Sequence, residues 1–217
     1  MRLKNIFFII LASGCLMAER FDFTFAVLKY SGGGDWYEGL TGAKELMHFF
    51  FSNTGINCRI DPVTVSPLDP ELFRQPFCYL TGHGSVSFSP AERTALRTWC
   101  LAGGFLLAND DYGMDTSFRQ EMTKIFPEYK LTEIPAGHEI FRCYYIFSDG
   151  LPKIHKHAGG RPEAWGIIYN KRIMVFYIFN TDIGDGWAPY QVHKNSETVR
   201  LEALKMGVNI LTYSMLN

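Results

Sequence analysis

Short apolar runs alternate with segments of helical periodicity through the middle of the chain. Phe23 to Leu28 reads as a first strand, and Tyr30-Ser31-Gly32-Gly33-Gly34-Asp35-Trp36-Tyr37 as the loop after it. Leu40, Ala43, Leu46, Met47 and Phe50 recur at helical spacing, which predicts a helix that Gly55 stops. Cys58 to Val65 contains a second strand, interrupted by Pro62, and Phe77 to Leu80 is a third, ending in Thr81-Gly82-His83-Gly84. Ser89-Pro90-Ala91-Glu92 carries an N-cap, a first-turn proline and a capping-box glutamate. In the helix they open, Ala95, Leu96 and Trp99 face one way, and Gly103-Gly104 ends it. Phe105 to Ala108 is a wholly apolar strand of the buried parallel kind, stopping at Asn109-Asp110-Asp111-Tyr112-Gly113. Another helix follows from about Ser117 to Phe126, before Pro127.

The last third changes character. Ile167 to Tyr169 and Ile173 to Phe179 flank Asn170-Lys171-Arg172, which predicts a β-hairpin. A turn-rich loop, Asn180 to Trp187, comes next, and Ser196 caps a final helix through Leu201, Leu204 and Val208. No repeat, low-complexity run or linker interrupts the pattern. One α/β domain over residues 19–217 is the economical reading. Strands 23–28, 77–80 and 105–108 are expected side by side in one parallel sheet, with His83 and Asp110 at the same end.

Composition narrows the function more than the fold. In 217 residues, 21 Lys and Arg face 22 Asp and Glu, so the net charge is −1 and no basic stripe marks a nucleic-acid binder. Arg2 and Lys4 precede a short apolar run, Ile6 to Ala12, and then small residues, which reads as an export signal over residues 1–18. Cleavage after Gly14 is the alternative, leaving Cys15 as a lipid-anchor site. The expected location is the periplasm or cell envelope. No other stretch approaches the roughly 20 apolar residues of a membrane helix. Cys58, Cys78, Cys100 and Cys143 have no metal-ligand spacing and read as small buried hydrophobes.

In a parallel α/β sheet the ligand crevice lies at the carboxyl ends of the strands. Loops 30–37, 81–85, 109–115 and 180–187 should gather there. They hold His83, Asp35, Asp110, Asp111, Asp115, Asp182 and Asp185, with Tyr30, Trp36, Tyr37, Tyr112 and Trp187. Gly33 and Gly82 let the backbone approach a ligand, and Asn109 adds a polar amide. Rings beside carboxylates suit a polyol or sugar, while carboxylates with a histidine suit a divalent metal. Any single aspartate of this kind is more often a turn cap, so the inference rests on the clustering. Gly32-Gly33-Gly34 is neither a dinucleotide fingerprint nor a P-loop, and Asp182 to Gly186 has the wrong spacing for an EF-hand. His155 and His157 alternate on an extended stretch and can face one side, though lone surface histidines are the plainer account. His48 reads as structural, and His138 and His193 have open roles.

These four loop segments, with Lys153-Ile154-His155 and Lys205 to Ile210, resemble the bacterial family called domain of unknown function 4159 over about residues 25–215. The resemblance implies a flavodoxin-like parallel sheet with helices on both faces, similar to class I glutamine amidotransferases and ThuA-like proteins. It implies no known reaction. Where the amidotransferases place a cysteine nucleophile, this chain has Asn109-Asp110-Asp111, which puts cysteine-based glutaminase chemistry in doubt.

Three functional readings follow. The first is an exported protein holding a small polar, carbohydrate-like ligand in the crevice. The second is a metal-assisted hydrolase using Asp110 or Asp111 with His83, and His155 as a further candidate ligand; its cofactor would be a divalent metal. The third is an envelope-protein partner without catalysis. A metal calls for His83 and an aspartate together. A sugar calls for Trp36 or Trp187 facing the same space.

Overall fold

The structure, a computed structural model, describes residues 21–155 and 159–216. The export signal with Cys15, and His157, lie outside the described residues. Seven strands form one sheet: β1 (Phe23–Leu28), β2 (Cys58–Val65), β3 (Phe77–His83), β4 (Phe105–Tyr112), β5 (Thr132–Glu133), β6 (Glu163–Tyr169) and β7 (Arg172–Phe179). The helices are α1 (Gly39–Thr54), α2 (Pro90–Leu101), α3 (Asp115–Ile125), α4 (Ile183–Trp187), α5 (Tyr190–His193) and α6 (Glu197–Met215).

The sheet order is β2-β1-β3-β4-β7-β6-β5. The first five of these strands run parallel, β6 pairs antiparallel with β7, and β5 pairs antiparallel with β6. This is a doubly wound α/β fold of flavodoxin-like order, and the strand order reverses between β1 and β3. β1, β3 and β4 lie side by side as the alternation predicts. The antiparallel end is a departure from an all-parallel sheet. The β6–β7 hairpin turns through Asn170 and Lys171, both at positive φ, the geometry that matches the twist of paired strands. Pro62 does not interrupt β2, because β2 is an edge strand and a register shift against β1 absorbs the missing donor.

Side-chain alternation along the strands feeds two cores. On one face Phe25, Val27, Tyr79 and Leu107 pack with Leu46, Met47 and Phe50 of α1 and with α6. On the other, Ala26, Leu80 and Leu106 pack with Leu96 and Trp99 of α2 and Phe118 and Met122 of α3. Each buried Val, Leu, Met or Phe side chain among them contributes about 1.5–3 kcal/mol, and this burial drives the helices onto the sheet. The Ser89–Glu92 capping box forms as its sequence predicts, and Gly55 closes α1 in the left-handed conformation. Arg93 grips Glu121 through both guanidinium arms at 2.7 and 3.0 Å, pinning α2 to α3.

Two strands run further than their apolar stretches. β3 continues through Thr81 and Gly82 to His83, and β4 through Asn109, Asp110 and Asp111 to Tyr112. These polar residues belong to strand ends rather than loops, so each projects to a fixed face of the sheet.

Candidate functional site

Alternation decides which residues meet. Tyr79, Thr81 and His83 of β3 and Asn109 and Asp111 of β4 project to the α1/α6 face. Asp110 points the other way, accepting from the Met114 backbone N–H at 2.9 Å and from the Tyr177 hydroxyl at 3.3 Å. Asp110 and Asp111 are therefore not interchangeable: Asp111 is the partner of His83, and Asp110 is not. Both still line a cavity of about 200 Å³ beyond the strand ends, together with Tyr112, His155, Phe179 and Asp182.

Asp35 reaches this end from the loop after β1. The loop is anchored by the Tyr30 hydroxyl, which donates to the Thr81 carbonyl at 2.9 Å, and by bridges from Ser31 to Ser87 and Gly33 to Ser85. Gly82, at φ +135, makes the approach possible. A Cβ there would lie 2.7 Å from the Tyr30 hydroxyl and 2.8 Å from Asp35 Oδ1. Asp35 then accepts from the His83 backbone N–H at 2.5 Å and meets His83 Nδ1 at 3.0 Å. The same Nδ1 lies 3.2 Å from Asp111 Oδ2. Burial opposes a charged imidazole, but the Asp111 and Asp35 carboxylates outweigh it and hold the His83 pKa above its ordinary value. Burial likewise opposes ionised Asp35, and the two His83 hydrogen bonds outweigh it, lowering the Asp35 pKa.

Asp111 joins this group to a second one. Its carboxyl is buried and hydrogen-bonds with that of Asp182, yet Asp111 Oδ1 receives no hydrogen from any N–H or hydroxyl group. Burial first, then the contact with Asp111, pushes the Asp182 pKa well above the ordinary carboxylate range. Asn109 sets the position of Asp182. Its amide donates to Asp182 Oδ1 at 3.0 Å and to Thr81 Oγ1 at 3.1 Å, while its oxygen accepts from the Ile183 N–H at 3.0 Å. Asp182 also caps α4, at a left-handed φ of +50 that is costly outside glycine. Asp185, in the first turn of α4, touches His155 Nδ1 at 2.9 Å and His193 Nε2 at 3.0 Å. A narrower cleft of about 40 Å³ lies on this side, lined by His83, Asp111, Asp182, Asp185 and His193.

Two sets of three residues each bring one ligand-type atom apiece to within 4.8 Å of one another: Asp35, His83 and Asp111, and His155, Asp182 and Asp185. Two atoms bound to one ion at roughly 2.0–2.6 Å cannot be more than about 5 Å apart, so both sets fit the span of a coordination sphere. Buried carboxylates with imidazoles suit a divalent first-row metal.

The other predicted residues divide. Trp187 is a correction: it is 0 % exposed, packs on Phe25 and Tyr79, and its Nε1 donates to the Ala203 carbonyl, so it belongs to the core and not the crevice. The turn-rich loop that carries it is helix α4, because Asp182 accepts from the Asp185 N–H. Trp36 sits half-buried in a 3-10 turn, with Lys29 over its ring at 5.6 Å, and Tyr37 is exposed beside it. Neither lines the two cavities. Tyr112 does, and is 60 % exposed at the mouth of the larger one. His138 accepts from the Ile140 N–H at the start of a 3-10 turn, which settles its role as a cap. His48 lies exposed on α1 rather than packed. Among the described residues the four cysteines are free, and Cys58, Cys78 and Cys100 are buried away from the site.

Fold and site together define a flavodoxin-like α/β protein with a carboxylate–imidazole centre where the strand order reverses. The chain belongs to the family described as domain of unknown function DUF4159, whose model matches residues 24–215. A search of curated proteins found no match to it.

Proposed function

We propose that the protein is a hydrolase that holds a divalent cation on Asp35, His83 and Asp111 and uses it to activate water against a small polar substrate. One observation carries this reading: Asp111, buried beside His83, has a carboxylate oxygen that no N–H or hydroxyl group reaches and that is left to the neighbouring Asp182 carboxyl. A buried carboxylate left so is costly, and a cation relieves the cost. A bound divalent ion lowers the pKa of its water toward neutrality and so supplies a nucleophile. The cavity of about 200 Å³ seats the substrate against Asp111 and Asp182. Asp110 faces the same cavity, and burial raises its pKa despite the Met114 N–H, which suits it to deliver a proton to the leaving group.

The exposed Tyr112 ring at the cavity mouth, with Phe179 in its wall, favours a carbohydrate-like substrate, because rings stack on the C–H faces of sugars. With Trp187 in the core and Trp36 outside both cavities, simple sugar binding without a metal has less support than hydrolysis. We also propose export to the periplasm or envelope, on the charged and apolar pattern of residues 2–12. Among the described residues, no helix is long and apolar enough to cross a membrane.

The test is metal analysis after dialysis against Mn²⁺ or Zn²⁺, with hydrolysis assayed on a panel of glycosides, esters and phosphate monoesters. Wild type retains at least one cation per chain and turns over one class. Asp111→Asn and His83→Ala lose both properties. Wild-type protein that retains no cation overturns the reading.

A further inference from the structure

We propose that the centre is dinuclear, with a second divalent cation held by His155, Asp182 and Asp185. The inference rests on the reading of Asp35, His83 and Asp111 as the first cation site.

The second set is assembled by the backbone before any ligand arrives. His155 N–H donates to the Thr181 carbonyl at 2.8 Å, and Ile154 N–H to Thr181 Oγ1 at 2.9 Å, so the strand-like segment bearing His155 is zipped to the residue preceding Asp182. Asp182 and Asp185 stand at the cap and first turn of one short helix. Asn109 fixes the Asp182 carboxylate from β4 at 3.0 Å, and His193 fixes Asp185 from α5 at 3.0 Å. His193 is thus a positioning residue, holding a ligand carboxylate in place as the outer partners of metal ligands do.

The independent observation is Asp111. Its carboxyl is 8 % exposed, lines both cavities, and joins the first set, to which it belongs, to Asp182 of the second. One oxygen turns to His83, and the other, Oδ1, takes no hydrogen from an N–H or hydroxyl group, while the carboxyl hydrogen-bonds with that of Asp182. Two buried carboxyls that meet in this way either share a proton or take positive charge from beyond the pair, and cations on its two sides supply that charge. One cation at Asp35, His83 and Asp111 answers for one side of this pair only. A second, at His155, Asp182 and Asp185, answers for the other, and makes Asp111 and Asp182 the common wall between two ions. The donor set of one imidazole and two carboxylates matches Mn²⁺ or Zn²⁺ and lacks the six to eight oxygens that Ca²⁺ takes.

The experiment is Mn²⁺ binding to chelator-stripped protein, with stoichiometry read by equilibrium dialysis and metal analysis, and coupling between ions read by electron paramagnetic resonance. The expected result is two Mn²⁺ per wild-type chain, with the multiline signal of a coupled pair. Asp185→Asn holds one Mn²⁺ and gives the signal of an isolated ion. His155→Gln, whose native side chain is 42 % exposed, gives the same loss if Asp185→Asn does not fold. One Mn²⁺ in the wild type that is unchanged in both variants overturns the dinuclear centre and leaves the first site standing. No bound Mn²⁺ in the wild type overturns both.

Discussion

Replacing Asp111 by Asn separates the stability of the site from its chemistry. The amide has the shape of the carboxyl and adds a donor where Asp111 Oδ1 now faces Asp182 without one. A hydrogen bond to a charged acceptor contributes about 1.5–3 kcal/mol. The substitution also removes the ion pair with His83, whose side chain is 51 % exposed, so solvent screening limits that cost to about 0.5–1 kcal/mol. Once pH exceeds the folded pKa of Asp182, the cation-free variant should therefore be more stable than wild type by about 0.5–2.5 kcal/mol. For a chain of this length that is a rise in Tm of roughly 1–10 °C. The sign of the pH dependence follows from Asp182. Its folded pKa stands well above the ordinary 3.8, so its contribution is full below that value and is lost as pH rises through the folded pKa. Burial sets most of that rise in pKa, and removing the Asp111 carboxylate removes the part of the loss that Asp111 adds. The gap between variant and wild type should then be near zero at about pH 4 and widen toward neutrality. Calorimetric melts in EDTA from about pH 4 to 8, beside metal retention, test this. A variant that gains no stability over wild type anywhere in this range, or a gap independent of pH, refutes the reasoning.

Other expectations follow from the same structure. Saturating the stripped wild type with Mn²⁺ at about 100 times its Kd should stabilise it by roughly 2.7 kcal/mol, and EDTA should reverse the shift; equal melts with and without metal contradict a native cation site. Arg93→Ala leaves Glu121, which is 3 % exposed, with Lys124 as its remaining cation, and should lower the midpoint of denaturant titration. Burial opposes ionised Glu121, but Arg93 and Lys124 outweigh it and lower its pKa, so this contribution is present above the ordinary 4.5 and fades as pH falls below it; a cost that persists undiminished at acid pH counts against the assignment. Trp187→Phe replaces the buried indole by a smaller ring and removes the hydrogen bond to Ala203, costing about 1–3 kcal/mol while leaving metal affinity unchanged; a variant of full stability that binds metal or substrate poorly restores Trp187 to the crevice.

The elements with local signals were legible. The Ser89–Glu92 capping box, Gly55 and the apolar runs of β1, β3 and β4 located helices and strands, because caps and burial act over a few residues. The strand ends were not. Thr81-Gly82-His83 and Asn109-Asp110-Asp111 look like loops, since polarity in sequence does not distinguish a solvated turn from a strand end whose side chains pair with each other. The site inherited that ambiguity. His83 with an aspartate was readable from the parallel order of β3 and β4, but which aspartate depends on where the alternation begins. Trp187 misled because its burial is decided by α6 and the α1 face, far away in sequence. His193 had no local signal at all, as its meeting with Asp185 is purely tertiary. β5, only Thr132–Glu133, is too short to leave a pattern.

The central claim is that a cation sits among Asp35, His83 and Asp111. A crystal of the wild-type protein soaked in Mn²⁺, with diffraction recorded on both sides of the manganese absorption edge, addresses it directly. The account predicts an anomalous peak within roughly 2.0–2.3 Å of a His83 ring nitrogen and an Asp111 oxygen, absent from Asp111→Asn crystals soaked in the same way. A clean map with no peak there, and His83 still bridging the two carboxylates, contradicts it.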